Sequence, residues 1–486
     1  MKNQDWKAIL RFIGIMLMAE GGLMALCLVP ALHFGEYRPW TIGLCAAFTL
    51  ALGAMLWVSF GHYRQIKDRR MSYLLVTLLW VTLAVFGTLP FLATGTTSCF
   101  TRAWFEAMSG ITSTGATVYA DVAALPASVL LWRSMSQWFG GFGIVLLVLA
   151  LSPRLGINNY SLYTAEASSA DNTGKTTVKT TETVQHTLLI YLILTIVFIL
   201  LLLLSGMELW DAVNLTFTNI SSGGFSVNSD SIASITHTQQ YILAAAMLLS
   251  GVNFTLLYLL FTLRWKRIGN RLDQFRSYIF IAITAVVFVS AGLHFKNSYA
   301  WGDAFRIGTV QTISALTTTG SVAADTTSWW TPIGFILLML SICGSMAGST
   351  SGGLKIMRML ILMRNARGIL RNRLHPNAVN PVRLNGKPVS DHIINNVMII
   401  FMVYGITMML GVMGLLLCGT TPNEAIGASV GCLTGYGPGL GATGGFGSYA
   451  GFSHGAMWIC SVLMLFGRLE CMTVLILLLP RFWRRH

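Results

Sequence analysis

The chain has 486 residues, 54% of them hydrophobic and only 10% charged, with a formal net charge of +14. A soluble domain averages about 25% charged residues. A mean hydropathy of +0.65 therefore excludes a water-soluble globule and indicates an integral membrane protein.

The N-terminal stretch MKNQDWKAILRF runs into an apolar segment with no small-residue cleavage site, and reads as a retained first span. Apolar runs long enough to cross a bilayer lie at about 12–32, 41–61, 72–94, 127–151, 187–205, 240–263, 277–295, 331–347 (continuing irregularly to about 366), 394–418 and 455–480. Ten spans place both termini on one side. That side carries 26 of the 32 lysines and arginines, in clusters around Lys7, Arg69, Arg154, Arg267, the segment Lys355 to Lys387, and Arg484. By the positive-inside rule it is cytoplasmic. The basic charge thus sets topology first and offers anionic lipid or a cytosolic partner a docking surface second; it is no sign of nucleic-acid binding. Eight scattered cysteines show no CxxC or Cys/His spacing, which argues against a disulfide frame or zinc site.

The predicted fold is all-α. Residues 1–71 supply two spans. Residues 72–151, 184–263, 276–370 and 391–480 each read as span, short re-entrant helix, polar turn, span. The four re-entrant stretches are RAWFEAMSGITSTGATV (102–118), DAVNLTFTNISSGGFSV (211–227), DAFRIGTVQTISALTTTGSV (303–322) and EAIGASVGCLTGYGPGL (424–440). The third is longer by about one helical turn. The repeats run parallel, which favours a central pore over the inverted halves of many carriers.

Irregular backbone survives at membrane depth only where it is buried in protein or lines water. Glycine lets such backbone turn its carbonyls toward an axis, and threonine and serine add neutral oxygens. Four such turns around an axis form an oxygen cage of the potassium-filter type, with Thr114, Gly115, Ser222, Gly223, Thr319, Gly320, Tyr436 and Gly437 as ion-binding residues. Thr112, Ser113, Ile220, Ser221, Thr317, Thr318, Thr434 and Gly435 flank them. A cage without carboxylates suits a weakly hydrated monovalent cation rather than Mg²⁺ or Ca²⁺. The stretch AGSTSGGLK interrupts the eighth span, the only span that reads as broken, and includes Gly348, Ser349, Thr350, Ser351, Gly352 and Gly353. Arg468, inside the last span, is a costly charge and hence a functional candidate. Glu20 and Arg133 read as structural partner or interface positions, and Lys355 and Arg358 as the surface end of the broken span.

STGATV, SSGGFSV, TTTGSV and YGPGLG, together with QWFGGFGI, AGSTSGGLK, HPNAVNPVRLNGKPVSD and GRLE, resemble the Trk/Ktr/HKT superfamily of potassium transporters over essentially the whole chain. The two extra N-terminal spans make the chain similar to the TrkH type. The resemblance implies potassium uptake across a bacterial inner membrane. It also implies a homodimer with one pore per subunit, a cytosolic TrkA-type nucleotide-binding ring partner, a gate at residues 348–353 with Arg468 projecting beside it, and no organic cofactor. Gly115, in place of the serine associated with sodium transport, favours potassium. The fourth loop departs from the family's usual asparagines, so that Gly435 competes with Gly437 for its register. Sodium or unselective cation flux through the same fold is the alternative. The connection 152–183 reads as flexible, and the basic segment 364–391 as the natural place for the ring to pull on the gate. No nucleophile–base pair or metal set suggests an enzyme.

Overall fold

The computed structural model describes residues 3–63, 69–151, 176–262, 272–375 and 381–483. The connection expected at 152–183 lies, up to residue 175, outside the described residues, as do 376–380 of the basic segment and the basic residues within 64–68, 263–271 and 484–486.

The helices are α1 (Asn3–Leu26), α2 (Leu28–His33), α3 (Trp40–Ser59), α4 (Arg69–Gly87), α5 (Leu89–Ala93), α6 (Phe100–Ile111), α7 (Ala127–Leu151), α8 (Thr176–Leu204), α9 (Leu209–Ile220), α10 (His237–Ser250) and α11 (Phe254–Phe261). They continue as α12 (Asp273–Asn297), α13 (Trp301–Leu316), α14 (Thr331–Cys343), α15 (Ile356–Leu374), α16 (Asp391–Leu417), α17 (Pro422–Thr434), α18 (His454–Arg468), α19 (Met472–Leu478) and α20 (Pro480–Trp483). Among the described residues six helical stretches are long and apolar enough to cross a membrane, and the bent pairs α10–α11 and α18–α19 pass the same test together. Four short helices, α6, α9, α13 and α17, are each followed by a Gly/Ser/Thr turn; α13 has 16 residues against 12 in α6 and α9.

Three breaks meet in the interior, where the sequence suggested one. Predicted span 240–263 is bent by 106° between α10 and α11, and predicted span 455–480 by 114° between α18 and α19. The backbone freed at the first bend is satisfied by the loop that separates α14 from α15. Phe254 N donates to Gly348 O (3.1 Å) and Met346 N to Gly251 O (3.2 Å), while the Asn253 side chain caps α11 by accepting from Leu256 N (3.1 Å). At the second bend Glu470 and Cys471 take φ of +57° and +50°, and Glu470 Oε2 accepts from Arg358 Nη2 at 2.6 Å. Arg358 is accordingly buried, and Lys355 Nζ folds back onto Ser351 O. Arg358 is therefore not the solvated surface charge that the sequence suggested, because Glu470 lies opposite it.

Past α15 the chain makes a small antiparallel hairpin, β1 (Arg383–Leu384) against β2 (Lys387–Pro388). Its turn residues Asn385 and Gly386 have φ of +51° and +78°, the pairing that a two-residue type I′ turn demands.

Candidate functional site

Each short helix ends in the same way, and the reason is local. At a helix C-terminus a left-handed residue lets two amides reach back to orphan carbonyls. Here Ser113, Ser222 and Thr318 take φ of +53°, +56° and +52°, and Gly435 takes +74°. The next residue then donates to the carbonyl five positions back: Thr114 to Ser109 (2.9 Å), Gly223 to Thr218 (2.8 Å), Thr319 to Ser314 (2.8 Å) and Tyr436 to Gly431 (2.9 Å). Left-handed backbone is unfavourable for residues other than glycine, so three of these turns hold strain that the surrounding packing maintains.

One residue further on stand Gly115, Gly224, Gly320 and Gly437, with φ of +85°, +73°, +84° and +85°. A methyl group added to Gly115 would collide with Gly223 O, one on Gly224 with Thr319 O, one on Gly320 with Tyr436 O, and one on Gly437 with Thr114 O. The four turns therefore interlock as a closed cycle in which each glycine faces a carbonyl of the next turn.

This geometry corrects the register of the second turn. Gly224, not Gly223, occupies the place of Gly115, Gly320 and Gly437; Gly223 matches Thr114, Ser222 matches Ser113, and Ser221 matches Thr112. Ile220, expected beside the turn, is the last residue of α9. The adjacent glycines were indistinguishable by type and differ only in φ. In the fourth turn Gly435 is the left-handed helix cap and Gly437 the cycle member, so the two glycines hold different places.

Side chains brace each turn from behind. Thr112 Oγ1 lies 2.8 Å from Thr114 Oγ1, and Thr317 Oγ1 lies 2.7 Å from Thr319 Oγ1. Gly223 has no side chain to be tied down this way, and Gln137 from α7 fills the space. Its Nε2 donates to Gly223 O (2.9 Å) and its Oε1 accepts from Phe225 N (3.1 Å). Asn219 Oδ1 accepts from Ser321 Oγ (2.8 Å). Tyr449 Oη donates to Gly437 O (2.8 Å), and Gln311 Nε2 to Tyr436 Oη (3.2 Å).

Arg133 and Glu106, both fully buried, form an ion pair of 2.8 Å. Glu106 also accepts from Thr117 Oγ1 (3.0 Å) and Val118 N (2.9 Å), and Arg133 Nη1 reaches Ser226 O (3.0 Å) in the second turn. Arg133 thus ties the first turn to the second; it is paired, as its sequence suggested, yet it belongs to the site. Glu20 is fully buried, and neither carboxylate oxygen has a hydrogen-bond partner among the described residues.

The turns stand between two cavities. One, of about 70 Å³, is lined by Gly115, Gly224, Gly320 and Gly437. The other, of about 220 Å³, is lined by Thr112, Ser113, Thr114, Thr434 and Gly435 and, opposite them, by residues 348–353 and Arg468. The loop between α14 and α15 is held directly against three of the turns. Thr350 Oγ1 lies 2.8 Å from Ser222 Oγ and donates to Ile220 O (3.1 Å). Gly352 N donates to Thr318 Oγ1 (2.7 Å), and Gly353 N to Thr434 O (3.0 Å). Gly352 has no room for a side chain, since a methyl group would meet Thr434 O. Ser349 lies within the loop, 2.9 Å from Ser351 by their hydroxyls. Among the described residues no group of three or more His, Cys, Asp or Glu gathers as a metal site would; the oxygens at the turns are backbone carbonyls and hydroxyls.

The TrkH family profile, described as a cation transport protein, matches residues 42–485. The chain is 33% identical to the Trk system potassium uptake protein TrkH of Escherichia coli (strain K12), covering 99% of both chains. It is 34% identical to the protein of that name from Vibrio parahaemolyticus, covering 99% of this chain and 100% of that one. The crystal structure of the potassium transporter TrkH from Vibrio parahaemolyticus superposes with a TM-score of 0.87 at 31% identity, over 99% of this chain and 100% of that chain.

Proposed function

The chain belongs to the TrkH family of cation transport proteins, a family of transporters and not of enzymes, and from that membership we propose that it takes up potassium through a selective pore along the axis of the four turns. The observation that carries this reading is the closed cycle of glycines and carbonyls between two cavities. Neutral oxygens in a ring replace the water shell of a weakly hydrated monovalent cation. The C-terminal ends of α6, α9, α13 and α17 add partial negative charge at the turns. In this reading Thr114, Gly115, Gly223, Gly224, Thr319, Gly320, Tyr436 and Gly437 form the filter, with potassium as transported ion and no organic cofactor.

Residues 348–353 are the gate, in its shut position. The loop bonds to three turns, and Arg468 adds a positive charge to the cavity below the filter, which lowers cation occupancy there. The ten-span, four-repeat architecture with both termini cytoplasmic rests on the positive-inside count. The bacterial inner membrane, the homodimer and the regulatory ring partner rest on family likeness; relatives bear the name of a Trk system, which supports a second component.

The test is flux from proteoliposomes loaded with potassium chloride and diluted into sodium chloride. A potassium-selective voltage that Gly115→Ser diminishes supports filter and register together. Equal passage of sodium would replace the reading with an unselective cation pore.

A further inference from the structure

The basic segment 364–391, which the sequence offered to a ring partner, also contains an arginine-lined cleft. Its volume is about 440 Å³, and four of its seven lining residues are Arg364, Arg367, Arg371 and Arg383. Arg364 is already engaged: its Nη1 donates to Asp273 Oδ2 (2.8 Å) and to Arg383 O (2.6 Å). That contact docks the hairpin on the start of α12, and Asn385 N strengthens it by donating to the same carboxylate oxygen at 3.0 Å. Arg367, Arg371 and Arg383 have no salt bridge among the described residues. Arg367 and Arg371 are one helical turn apart, a spacing at which like charges repel. Three arginines lining one cleft without a salt bridge to a carboxylate are the donor set for a phosphate, which accepts forked hydrogen bonds from arginine.

The cleft's position indicates which phosphate. Arg364 is tied to Asp273, the first residue of the membrane-crossing helix α12. Val382 and Leu384 of the hairpin share a buried cluster with Ile394 and Val397, in the first turns of the membrane-crossing helix α16. Two spans begin at the cleft, so it lies at the membrane surface. On α15, which carries Arg364, Arg367 and Arg371, Met363, Leu370 and Leu374 are 54%, 65% and 77% exposed. Their spacing of seven and four residues puts them on one stripe beside the arginine stripe. An apolar stripe next to a basic one is the pattern of a helix lying in the headgroup boundary.

We propose that this cleft binds the headgroup phosphate of an anionic phospholipid, whose acyl chains cover Met363, Leu370 and Leu374. The proposal goes beyond potassium transport and does not depend on it.

Native mass spectrometry of the purified full-length protein with phosphatidylglycerol or phosphatidylcholine tests it. The comparison is with Arg367→Gln/Arg371→Gln/Arg383→Gln, whose three side chains are exposed; an unchanged Tm shows that the variant is folded. The expected result is one phosphatidylglycerol held per chain, at least about tenfold tighter than in the variant. Phosphatidylcholine would be held weakly by both, and millimolar inorganic phosphate would not displace the lipid. Equal retention by the variant overturns the proposal. Displacement by inorganic phosphate overturns it in favour of a soluble anion, and displacement by an acidic peptide in favour of a protein partner. Because binding is read without flux, failure of the potassium reading would leave this result intact, and the reverse.

Discussion

Arg468 reaches the loop between α14 and α15 and the opposite wall of the cavity at once. Its Nη1 donates to Thr350 O at 3.2 Å, and its Nη2 donates to Gly140 O and Gly141 O at 2.7 and 3.0 Å. One side chain at the end of α18 therefore pins the loop to α7. Hydrogen bonds from a charged group contribute about 1.5–3 kcal/mol. Arg468→Ala should raise the basal potassium flux of proteoliposomes roughly tenfold or more, since each 1.4 kcal/mol shifts an equilibrium about tenfold. Unchanged or lower flux would remove Arg468 from the latch.

The register of the second turn separates two neighbouring glycines. Gly224→Ala combines a left-handed φ with a collision against the Thr319 backbone, and should abolish flux whatever else is changed. Gly223→Ala meets first the movable far end of the Gln137 side chain, so it should retain part of its flux. A greater loss in Gly223→Ala than in Gly224→Ala would return the register to Gly223.

The Glu106–Arg133 pair is fully buried, and removing one partner leaves an uncompensated charge, at a cost of about 3–5 kcal/mol. Arg133→Met should lower the Tm in detergent by several degrees and scatter the first two turns. Adding Glu106→Gln should recover part of that loss. The paired Tm values form a double-mutant cycle, and a pair with additive effects would refute the coupling.

Tyr449 tests whether bracing governs selectivity. Its hydroxyl holds the Gly437 carbonyl, and Tyr449→Phe keeps the ring while deleting the donor. Losing a bond of about 1 kcal/mol should reduce the potassium-to-sodium ratio of the voltage about fivefold, with total flux maintained. An unchanged ratio would make the bond structural only.

Much of this site was legible because its chemistry is exceptional for a membrane chain. Four Gly/Ser/Thr patches, a glycine-serine interruption and a buried arginine stand out against apolar runs, and the structure brings them together. What was hidden depends on conformation or on long-range partners. Gly223 and Gly224 cannot be told apart without φ. Gln137 and Glu106 look like ordinary helix residues until the turns they brace are in place. The bend before Phe254 had a signal in Asn253, a good helix cap. The bend at Glu470 and Cys471 had none, since neither residue favours left-handed backbone. Arg358, read as a surface charge, is buried because Glu470 lies opposite it. The Asn385–Gly386 hairpin was a local signal that the helical context overshadowed.

The cycle of turns also constrains how the protein is made. Gly437 is the residue that meets Thr114 O, so the first turn waits for almost the entire chain before its last neighbour arrives. A nascent polypeptide that has inserted three units has an oxygen-lined wall with one side missing. Non-local contacts of this kind form late and slowly. Ribosomal stalling or truncation before residue 437 should therefore leave a product that quality-control proteases recognise. The fourth turn is in this sense the keystone of biogenesis.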